Sequence, residues 1–358
     1  MRGICRNPLC LYLLLALSLL QGFAVPSASC AQQIVLNAVG DIMLAGGGTG
    51  TYKRMGYDYP FASTRQELKN GDITVGNLEA PITRTGTEFT GKKFRFKTSP
   101  RAAQALRRAG FFVLTLANNH MLDFGAVGLE ETGKHLERAG ILYTGAGKNL
   151  AIARKPALVY VKGKRVAFLA YSLTLPPEFF AEANRPGTVP GFTPYFREDI
   201  AQAKLNADYV IVSFHWGAEK AVTPKPYQII AARRAVDAGA DVVIGHHPHV
   251  LQGIERYRNG IIFYSLGNFA FGSTSRSSDI SVLARITLGS GIREVEVIPL
   301  NVLNSEVRFQ PKVLKGERGL AVIRRLNSIS GPLGTEIRLT GKRYLAHRTG
   351  VKNHLAQR

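Results

Sequence analysis

Carboxylate, amide and imidazole side chains recur in this sequence where short apolar runs give way to glycine, asparagine or other polar residues. Each position alone is typical of an ordinary turn, a helix cap or a core histidine. The segment at 245–249 is different, because three histidines within four residues are unfavourable to bury together unless an ion organises them. We therefore interpret the whole set as one shared site. Its members are Asp41, Glu79, Asn119, His120, His215, His246, His247 and His249.

Oxygen and imidazole ligands without thiolate favour a divalent metal ion, and Mn, Zn or Fe suit this ligand set. All three cysteines lie within the first 30 residues, so the rest of the chain offers no thiolate ligand and no disulfide. Asp41 or Glu79 could bridge two ions, and Asn119 offers a neutral carbonyl oxygen. We predict that His120 protonates a leaving oxygen or steadies transition-state charge. The alternative is a set of unrelated turns and core histidines.

The elements that position these side chains are predicted from apolar runs and helical spacing. Strands are predicted at 34–39, 73–75, 111–116, 158–161, 166–170, 209–213, 241–244, 261–264, 282–288 and 294–299, and helices at 101–109, 128–139, 227–238 and 320–326. Residues 174–198 hold five of the 17 prolines and are predicted to form a long loop. This alternation indicates a layered α/β fold, in which the carboxyl ends of strands share an edge where the polar clusters meet.

The first 31 residues have the order of a secretory signal, with Arg2 and Arg6, an apolar run at 11–20 and small residues up to Ala31. Cleavage, lipidation of Cys30 and an uncleaved anchor all remain open. Each would place the rest of the chain in the periplasm or at an extracytoplasmic membrane surface. The predicted organisation is a signal or anchor at 1–31, a main domain at 32–304, and a basic C-terminal extension at 305–358 that packs on or follows it.

The chain is strongly basic, with 46 Lys and Arg against 25 Asp and Glu and a net charge of +21. The stretch from Lys312 to Arg358 alone holds 11 basic residues and two acids. Such a surface favours an anionic polymer or a membrane surface as partner, although a solvated tail without a partner has the same composition. Nucleic acid is disfavoured by the secretory start and by the lack of aromatic residues interleaved with the basic ones.

Six sequence blocks resemble the CapA family of bacterial poly-γ-glutamate capsule biosynthesis proteins. They are GDIML at 40–44, NLEAP at 77–81, LANNHMLDFG at 116–125, FHWGAE at 214–219, GHHPHV at 245–250 and YSLGNF at 264–269. More distantly, their order is similar to that of calcineurin-like metallophosphoesterases. The resemblance implies a metallophosphoesterase-like β-sandwich flanked by helices, with one or two divalent ions. Other polar residues of the blocks are then expected to surround the ligands, namely Asn77, Asn118, Asp123, Glu219, Ser265 and Asn268.

Three departures from the phosphoesterase pattern concern the number of metal ions. Met43 stands where those enzymes have a first histidine ligand, and Glu79 replaces their bridging aspartate. The closing block has an extra histidine, so either His246 or His247 could take the first ligand position.

The CapA resemblance predicts a cell-surface protein for the synthesis, export or anchoring of poly-γ-glutamate or a similar anionic polymer, with a metal-dependent hydrolase-type site. Membrane-bound synthase subunits are the implied protein partners. The alternatives are a non-catalytic accessory that binds the polymer and a stand-alone metallophosphoesterase.

Overall fold

The computed structural model describes residues 32–349, so the predicted signal or anchor and Cys30 lie outside the described residues. The helices are α1 (Thr49–Met55), α2 (Arg65–Lys69), α3 (Arg101–Ala109), α4 (Gly125–Arg138), α5 (Leu150–Ala153), α6 (Thr193–Asn206), α7 (Pro226–Asp237), α8 (Asn304–Val307) and α9 (Gly316–Ser330). Among residues 32–349, no helix has both the length and the apolar character needed to cross a membrane.

The strands alternate with these helices along most of the chain. They are β1 (Ile34–Met43), β2 (Ile73–Leu78), β3 (Val113–Thr115), β4 (Leu142–Thr144), β5 (Ala146–Gly147), β6 (Ala157–Val161), β7 (Lys164–Ser172), β8 (Gly187–Thr188), β9 (Tyr209–His215), β10 (Val242–His246), β11 (Ile254–Tyr257), β12 (Gly260–Phe263), β13 (Asn268–Phe271), β14 (Ile280–Gly289), β15 (Gly291–Asn301), β16 (Lys312–Val313), β17 (Thr335–Thr340) and β18 (Arg343–Arg348).

Two large sheets are built from these strands. The ten-stranded sheet has the order β17-β18-β15-β14-β1-β2-β3-β4, with β13 also pairing with β1 and β16 with β15. The six-stranded sheet has the order β11-β12-β10-β9-β7-β6. Strands β1, β2 and β3 run parallel in the first sheet, as do β9 and β10 in the second. Polar residues at the carboxyl ends of each parallel group are therefore brought together.

Apolar side chains arrange the fold in layers. Leu36 of β1 and Phe168 of β7 belong to one buried cluster that joins the two sheets. The other face of the ten-stranded sheet is covered by α3 and α4, which contribute Leu106 and Leu136. The other face of the six-stranded sheet is covered by α6 and α7, with Phe196 at its centre. The predicted sandwich of sheets flanked by helices is confirmed.

The C-terminal segment completes the ten-stranded sheet. Strands β16 and β18 pair with β15, and β17 extends the sheet beyond β18. Helix α9 buries Leu326 in the cluster that joins the two sheets. The segment therefore contributes both strand pairing and core packing to the domain.

Replacing Leu326 with alanine is expected to lower the free energy of unfolding by about 3 kcal/mol, because the side chain is fully buried. Urea denaturation measures the change. Leu339→Ala on β17 is the matched control, since that leucine is 61% exposed. Equal stability losses in the two variants would mean that α9 does not pack as the structure places it.

The predicted loop at 174–198 is wrong in its second half, since β8 begins at Gly187 and α6 begins at Thr193. Pro194 lies in the first turn of α6, where its missing N–H removes no helical hydrogen bond. The buried residues Phe196, Ile200 and Ala203 have the helical spacing that the density of prolines obscures. The other helices in the sequence prediction are confirmed, although α9 is longer than predicted at both ends.

Candidate metal centre

The predicted site residues come from both sheets. Asp41 of β1 lies opposite Asn77 of β2, and His246 of β10 lies opposite His215 of β9. Asn77 connects the two sheets, because its Nδ2 donates to Asp41 Oδ1 at 2.9 Å and lies 3.3 Å from His215 Nδ1. The carboxyl ends of two groups of parallel strands therefore meet at one rim, whereas the sequence suggested a single edge.

Two overlapping groups of side chains at this rim have the geometry to hold a metal ion. One comprises Glu79, His215 and His247, and the other comprises Asp41, Glu79 and His249. Within each group the ligand atoms lie within 4.8 Å of one another. Glu79 belongs to both groups, with Oε1 3.5 Å from His215 Nε2 and 3.6 Å from His249 Nε2. Each group would offer three ligand atoms to a divalent ion, with Glu79 as the residue that both groups share.

Glu79 carries the strongest sign of a cation site. Its side chain is fully buried, and neither carboxylate oxygen accepts a hydrogen bond from any described residue. Burial, and then the charge of Asp41, raise the pKa of Glu79 well above its usual range. A buried carboxylate without a partner is costly, so it requires a proton or a cation. The Nδ1 atom of His247 also lacks a partner within residues 32–349, and this donor set suits a divalent ion.

The charges around Asp41 and the histidines are balanced by close contacts. His246 Nδ1 lies 3.1 Å from Asp41 Oδ1, and His249 Nδ1 lies 3.2 Å from Asp41 Oδ2. Burial alone would raise the pKa of Asp41, but these two imidazoles hold it well below its usual range. Burial would lower the pKa of His249, but the charges of Glu79 and Asp41 raise it to about 9. Burial lowers the pKa of His247 to about 3, which keeps its imidazole in the neutral form that binds metals.

The backbone of the histidine segment is strained. His247 has φ of 91° and His249 has φ of 57°, values that residues other than glycine rarely adopt. The segment is held by the backbone N–H of His247, which donates to Asp41 Oδ2 at 3.1 Å, and by Pro248 O, which accepts from Lys220 N–H at 2.8 Å. Strained backbone of this kind clusters at functional sites, and here it leaves both imidazoles within reach of Glu79.

Three of the predicted residues, Asn119, His246 and Glu219, belong to neither ligand group. Asn119 is in contact with one group, since its Oδ1 lies 2.8 Å from His215 Nε2. His246 belongs to neither group and contacts Asp41 instead. Glu219 is exposed and forms no hydrogen bond or ion pair with the described residues, although its negative charge contributes to the raised pKa of Glu79. Metal binding by Asn119 and His246 stays a prediction, as does the place of Glu219 around the ligands.

The remaining amide and hydroxyl residues shape the backbone around the rim. Asn118 Nδ2 donates to Leu78 O at 2.8 Å and to Asn77 Oδ1 at 3.1 Å, which ties the segment after β3 to β2. Asn268 Oδ1 lies 2.9 Å from His249 Nδ1 and orients that imidazole. Ser265 acts more remotely, because its hydroxyl accepts from the backbone N–H of Gly267 at 3.2 Å.

His120 lies beside the rim in a network that includes a lysine. His120 Nδ1 is 2.6 Å from Asp123 Oδ2, and Asp123 Oδ1 is 2.6 Å from Lys92 Nζ. The Lys92 ammonium also donates to the backbone carbonyl of Asn119 and lies 3.1 Å from His120 Nδ1. Burial lowers the pKa of His120, Asp123 opposes this shift, and Lys92 adds to it. Lys92 is not among the sequence-predicted residues, and the signal for it is the density of basic residues at 84–97.

Met43 replaces a potential ligand with an apolar contact. It follows Asp41 by two residues in β1, so both side chains lie on the same face of the strand. Its side chain is buried in a small cluster with Ala45, Ala80 and Phe271. The site therefore lacks one imidazole on the Asp41 side, consistent with the departure noted in the sequence.

Comparison with known proteins gives a family match over most of the chain. Residues 35–273 match the model of the bacterial capsule synthesis protein PGA_cap family. The chain is 36% identical to the capsule biosynthesis protein CapA of Bacillus anthracis, covering 76% of this chain and 68% of that protein. It is 33% identical to the PGA biosynthesis protein CapA of Bacillus subtilis, covering 77% of this chain and 74% of that protein.

Similarity to solved structures is weaker. The NAD nucleotidase of Haemophilus influenzae superposes with a TM-score of 0.49 at 14% identity, covering 84% of this chain and 64% of that chain. A likeness of this size assigns neither an activity nor a substrate.

Proposed function

The chain belongs to the PGA_cap family of bacterial capsule synthesis proteins, and we propose that it acts in poly-γ-glutamate capsule synthesis through a metal-dependent hydrolase site. The observation that carries the hydrolase proposal is Glu79, a buried carboxylate that two ligand groups share and that no described residue hydrogen-bonds. The substrate is an amide of the polymer or a phosphoester used in its synthesis. Both classes develop negative charge on oxygen during hydrolysis, which a cationic centre stabilises.

Most of the predicted residues at the rim would bind the metal. Asp41, Glu79, His215, His247 and His249 would hold one or two ions of Mn, Zn or Fe, with Asn119 and His246 as further candidate ligands. A bound ion would supply Lewis-acid polarisation of a substrate oxygen.

His120 would act as a general acid or base beside these ligands. Its Nδ1–H donates to Asp123 at 2.6 Å, which fixes the tautomer and leaves Nε2 to accept or deliver a proton. Lys92 holds Asp123 in place for that task.

The same proposal places the protein outside the cytoplasmic membrane, beside membrane-bound synthase subunits and an anionic polymer. It is supported by the basic, apolar and small-residue order of residues 1–31 and by the net charge of +21. A reporter that is active only after export, fused after residue 40, tests the location. An inactive reporter retained in the cytoplasm would contradict it.

Hydrolysis is tested with purified protein loaded with Mn²⁺, Zn²⁺ or Fe²⁺ or treated with a chelator. The probes are poly-γ-glutamate for amide cleavage and bis-para-nitrophenyl phosphate for phosphoester cleavage. We expect metal-dependent turnover of at least one probe, and a loss of about a hundredfold or more in His120→Gln with metal content unchanged. His347→Gln is the matched control, because His347 is exposed on β18.

A second candidate function is a non-catalytic accessory that binds the polymer, and the observation that favours it is Met43. With an apolar side chain in that position, the rim offers fewer imidazole ligands around Asp41 than the phosphoesterase pattern has. Metal-loaded protein that binds poly-γ-glutamate but cleaves neither probe would support the accessory and contradict the hydrolase.

A further inference from the structure

We propose that a groove lined by Lys53, Arg84 and Arg101 binds a stretch of polycarboxylate chain and guides it toward the metal rim. The identity of the polymer as poly-γ-glutamate rests on the proposed function. The existence of the groove depends only on its unpaired cations and on the loop that joins it to the metal rim. Its test requires no turnover.

The groove has a volume of about 640 Å³, and its positive charge is not neutralised by carboxylates. Its one acid, Asp58, is already engaged by Arg108 at 2.6 Å and by Arg65 at 3.5 Å. Lys53, Arg84 and Arg101 are exposed and form no ion pair with any residue between 32 and 349. Three unpaired cations around one groove are complementary to a polymer that carries a carboxylate on every residue.

Helix α3 adds to this positive potential. Arg101 is the first residue of α3, and the first turn of that helix contains no acidic side chain. The positive end of the helix dipole therefore faces the same region as the Arg101 guanidinium. Ser99 and Gln104 also line the groove and offer neutral hydrogen-bond donors to a carboxylate.

A single chain segment connects the groove to the metal rim. This segment is the loop at 83–98. Its two ends are joined by Thr83 N–H, which donates to Thr98 O at 3.1 Å, and by Thr98 N–H, which donates to Pro81 O at 2.9 Å. Arg84 beside these ends lines the groove, whereas Lys92 in the middle of the loop contacts Asp123. The loop therefore runs from the groove to the His120 network.

The loop also carries positive charge along its length. It holds five basic residues, Arg84, Lys92, Lys93, Arg95 and Lys97, and one acid, Glu88. Glu88 is paired with Arg95 at 3.2 Å, while Lys93 and Lys97 are exposed. A polymer held in the groove would thus meet further cations in the direction of His120.

The basic C-terminal stretch is less suited to the same task. Five of the nine cations that the structure describes in this stretch are paired with carboxylates, at Arg318–Glu306, Arg324–Glu317, Arg325–Asp279, Arg338–Glu336 and Arg343–Glu294. Exposed pairs of this kind reduce the net attraction for an added polyanion. The groove differs from this stretch because its unpaired cations line one cavity, and the basic loop that begins there reaches the His120 network.

The test is the affinity of fluorescently labelled poly-γ-glutamate for the full chain, measured by anisotropy in chelator at low salt. The triple variant Lys53→Gln, Arg84→Gln and Arg101→Gln is expected to bind about tenfold more weakly than wild type, from three exposed ion pairs. The control variant, Lys155→Gln, Arg197→Gln and Arg234→Gln, removes the same number of charges from exposed, unpaired positions among the described residues outside the groove. We expect the control to bind within about twofold of wild type.

An equal loss of affinity for poly-γ-glutamate in both triple variants would mean that only the net charge of the protein matters. That result would overturn the proposal that the groove binds the polymer. So would an unchanged affinity in the groove variant, or no binding by wild type. Inorganic polyphosphate that binds more tightly than poly-γ-glutamate would assign the groove to a phosphate-bearing polymer and overturn the carboxylate proposal. Because binding is measured in chelator, a failure of the hydrolase assay leaves this result intact, and the two failures are distinguishable.

Discussion

Replacing Glu79 with glutamine is expected to remove metal from both ligand groups at once. The carboxylate is shared by the two groups, so its loss weakens each of them, whereas loss of His215 or Asp41 would weaken one. We expect the affinity for Mn²⁺ or Zn²⁺ to fall by more than about a hundredfold, beyond the usual effect of changing a residue behind a ligand. Calorimetric titration and elemental analysis of dialysed protein measure the loss, and metal-dependent hydrolysis should become undetectable.

The same variant has a second signature, which separates a metal ligand from a merely structural residue. Glutamine removes a buried carboxylate that accepts no hydrogen bond from a described residue, so the metal-free variant should be about as stable as metal-free wild type. Glu219→Gln is the control, because Glu219 is exposed at the same rim and belongs to neither ligand group. A Glu79→Gln protein that keeps its metal would refute the assignment of Glu79 as the shared ligand.

Replacing Gly40 with alanine is expected to destabilise the domain by more than about 4 kcal/mol, a large fraction of the stability of an ordinary protein. A Cβ atom at this position would lie 1.9 Å from the carbonyl oxygen of Gly267. The carbonyl oxygen belongs to the backbone, and the backbone of β1 fixes the position of the Cβ atom. The clash can therefore be relieved only by separating β1 from the segment that leads into β13. The free energy of unfolding, measured by urea denaturation, or the soluble yield if the variant does not fold, records the effect.

The consequence for the metal rim follows from the same contact. Asp41 N–H donates to Gly267 O at 3.0 Å, and the next residue, Asn268, orients His249. Gly50→Ala is the matched control, since a Cβ there meets nothing within 4 Å and alanine favours the helix that contains it. We expect that variant to be as stable as wild type or slightly more so. A folded Gly40→Ala protein of wild-type stability and metal content would contradict the close approach of β1 and β13.

The fold could be predicted largely because its buried strands are short apolar runs bounded by glycine and polar residues. Residues 209–213 and 241–244 are of this kind, and both lie in parallel strands of the six-stranded sheet. The division of the strands between two sheets was implied by the family resemblance and not by the apolar runs themselves, since β1 and β10 have the same apolar character. That division depends on pairing between distant residues, such as Leu36 with Ile286, which no local pattern encodes.

The candidate site could be predicted because the unusual density of histidine at 246–249 pointed to a shared chemical role. The positions of its ligands could not be predicted in the same way, because His247 and His249 adopt left-handed backbone conformations that the sequence does not indicate. Lys92 lies outside the recognised blocks, on a loop without regular structure, and only tertiary packing brings it to Asp123. The structure also shows why Glu79 is the more informative acid, since Asp41 accepts hydrogen bonds from its neighbours and Glu79 accepts none from residues 32–349.

The position of β1 has a consequence for the order in which the chain folds. This strand begins at Ile34, yet it lies in the interior of the ten-stranded sheet, where it pairs with β14 at 280–289 and β13 at 268–271. This strand therefore cannot complete its pairing until the chain as far as residue 289 is available. Contacts between residues so far apart slow folding, because a long loop must close before they form. The export proposed above would benefit from such a delay, because a chain that has not yet folded can cross a membrane in extended form until its last strands have passed.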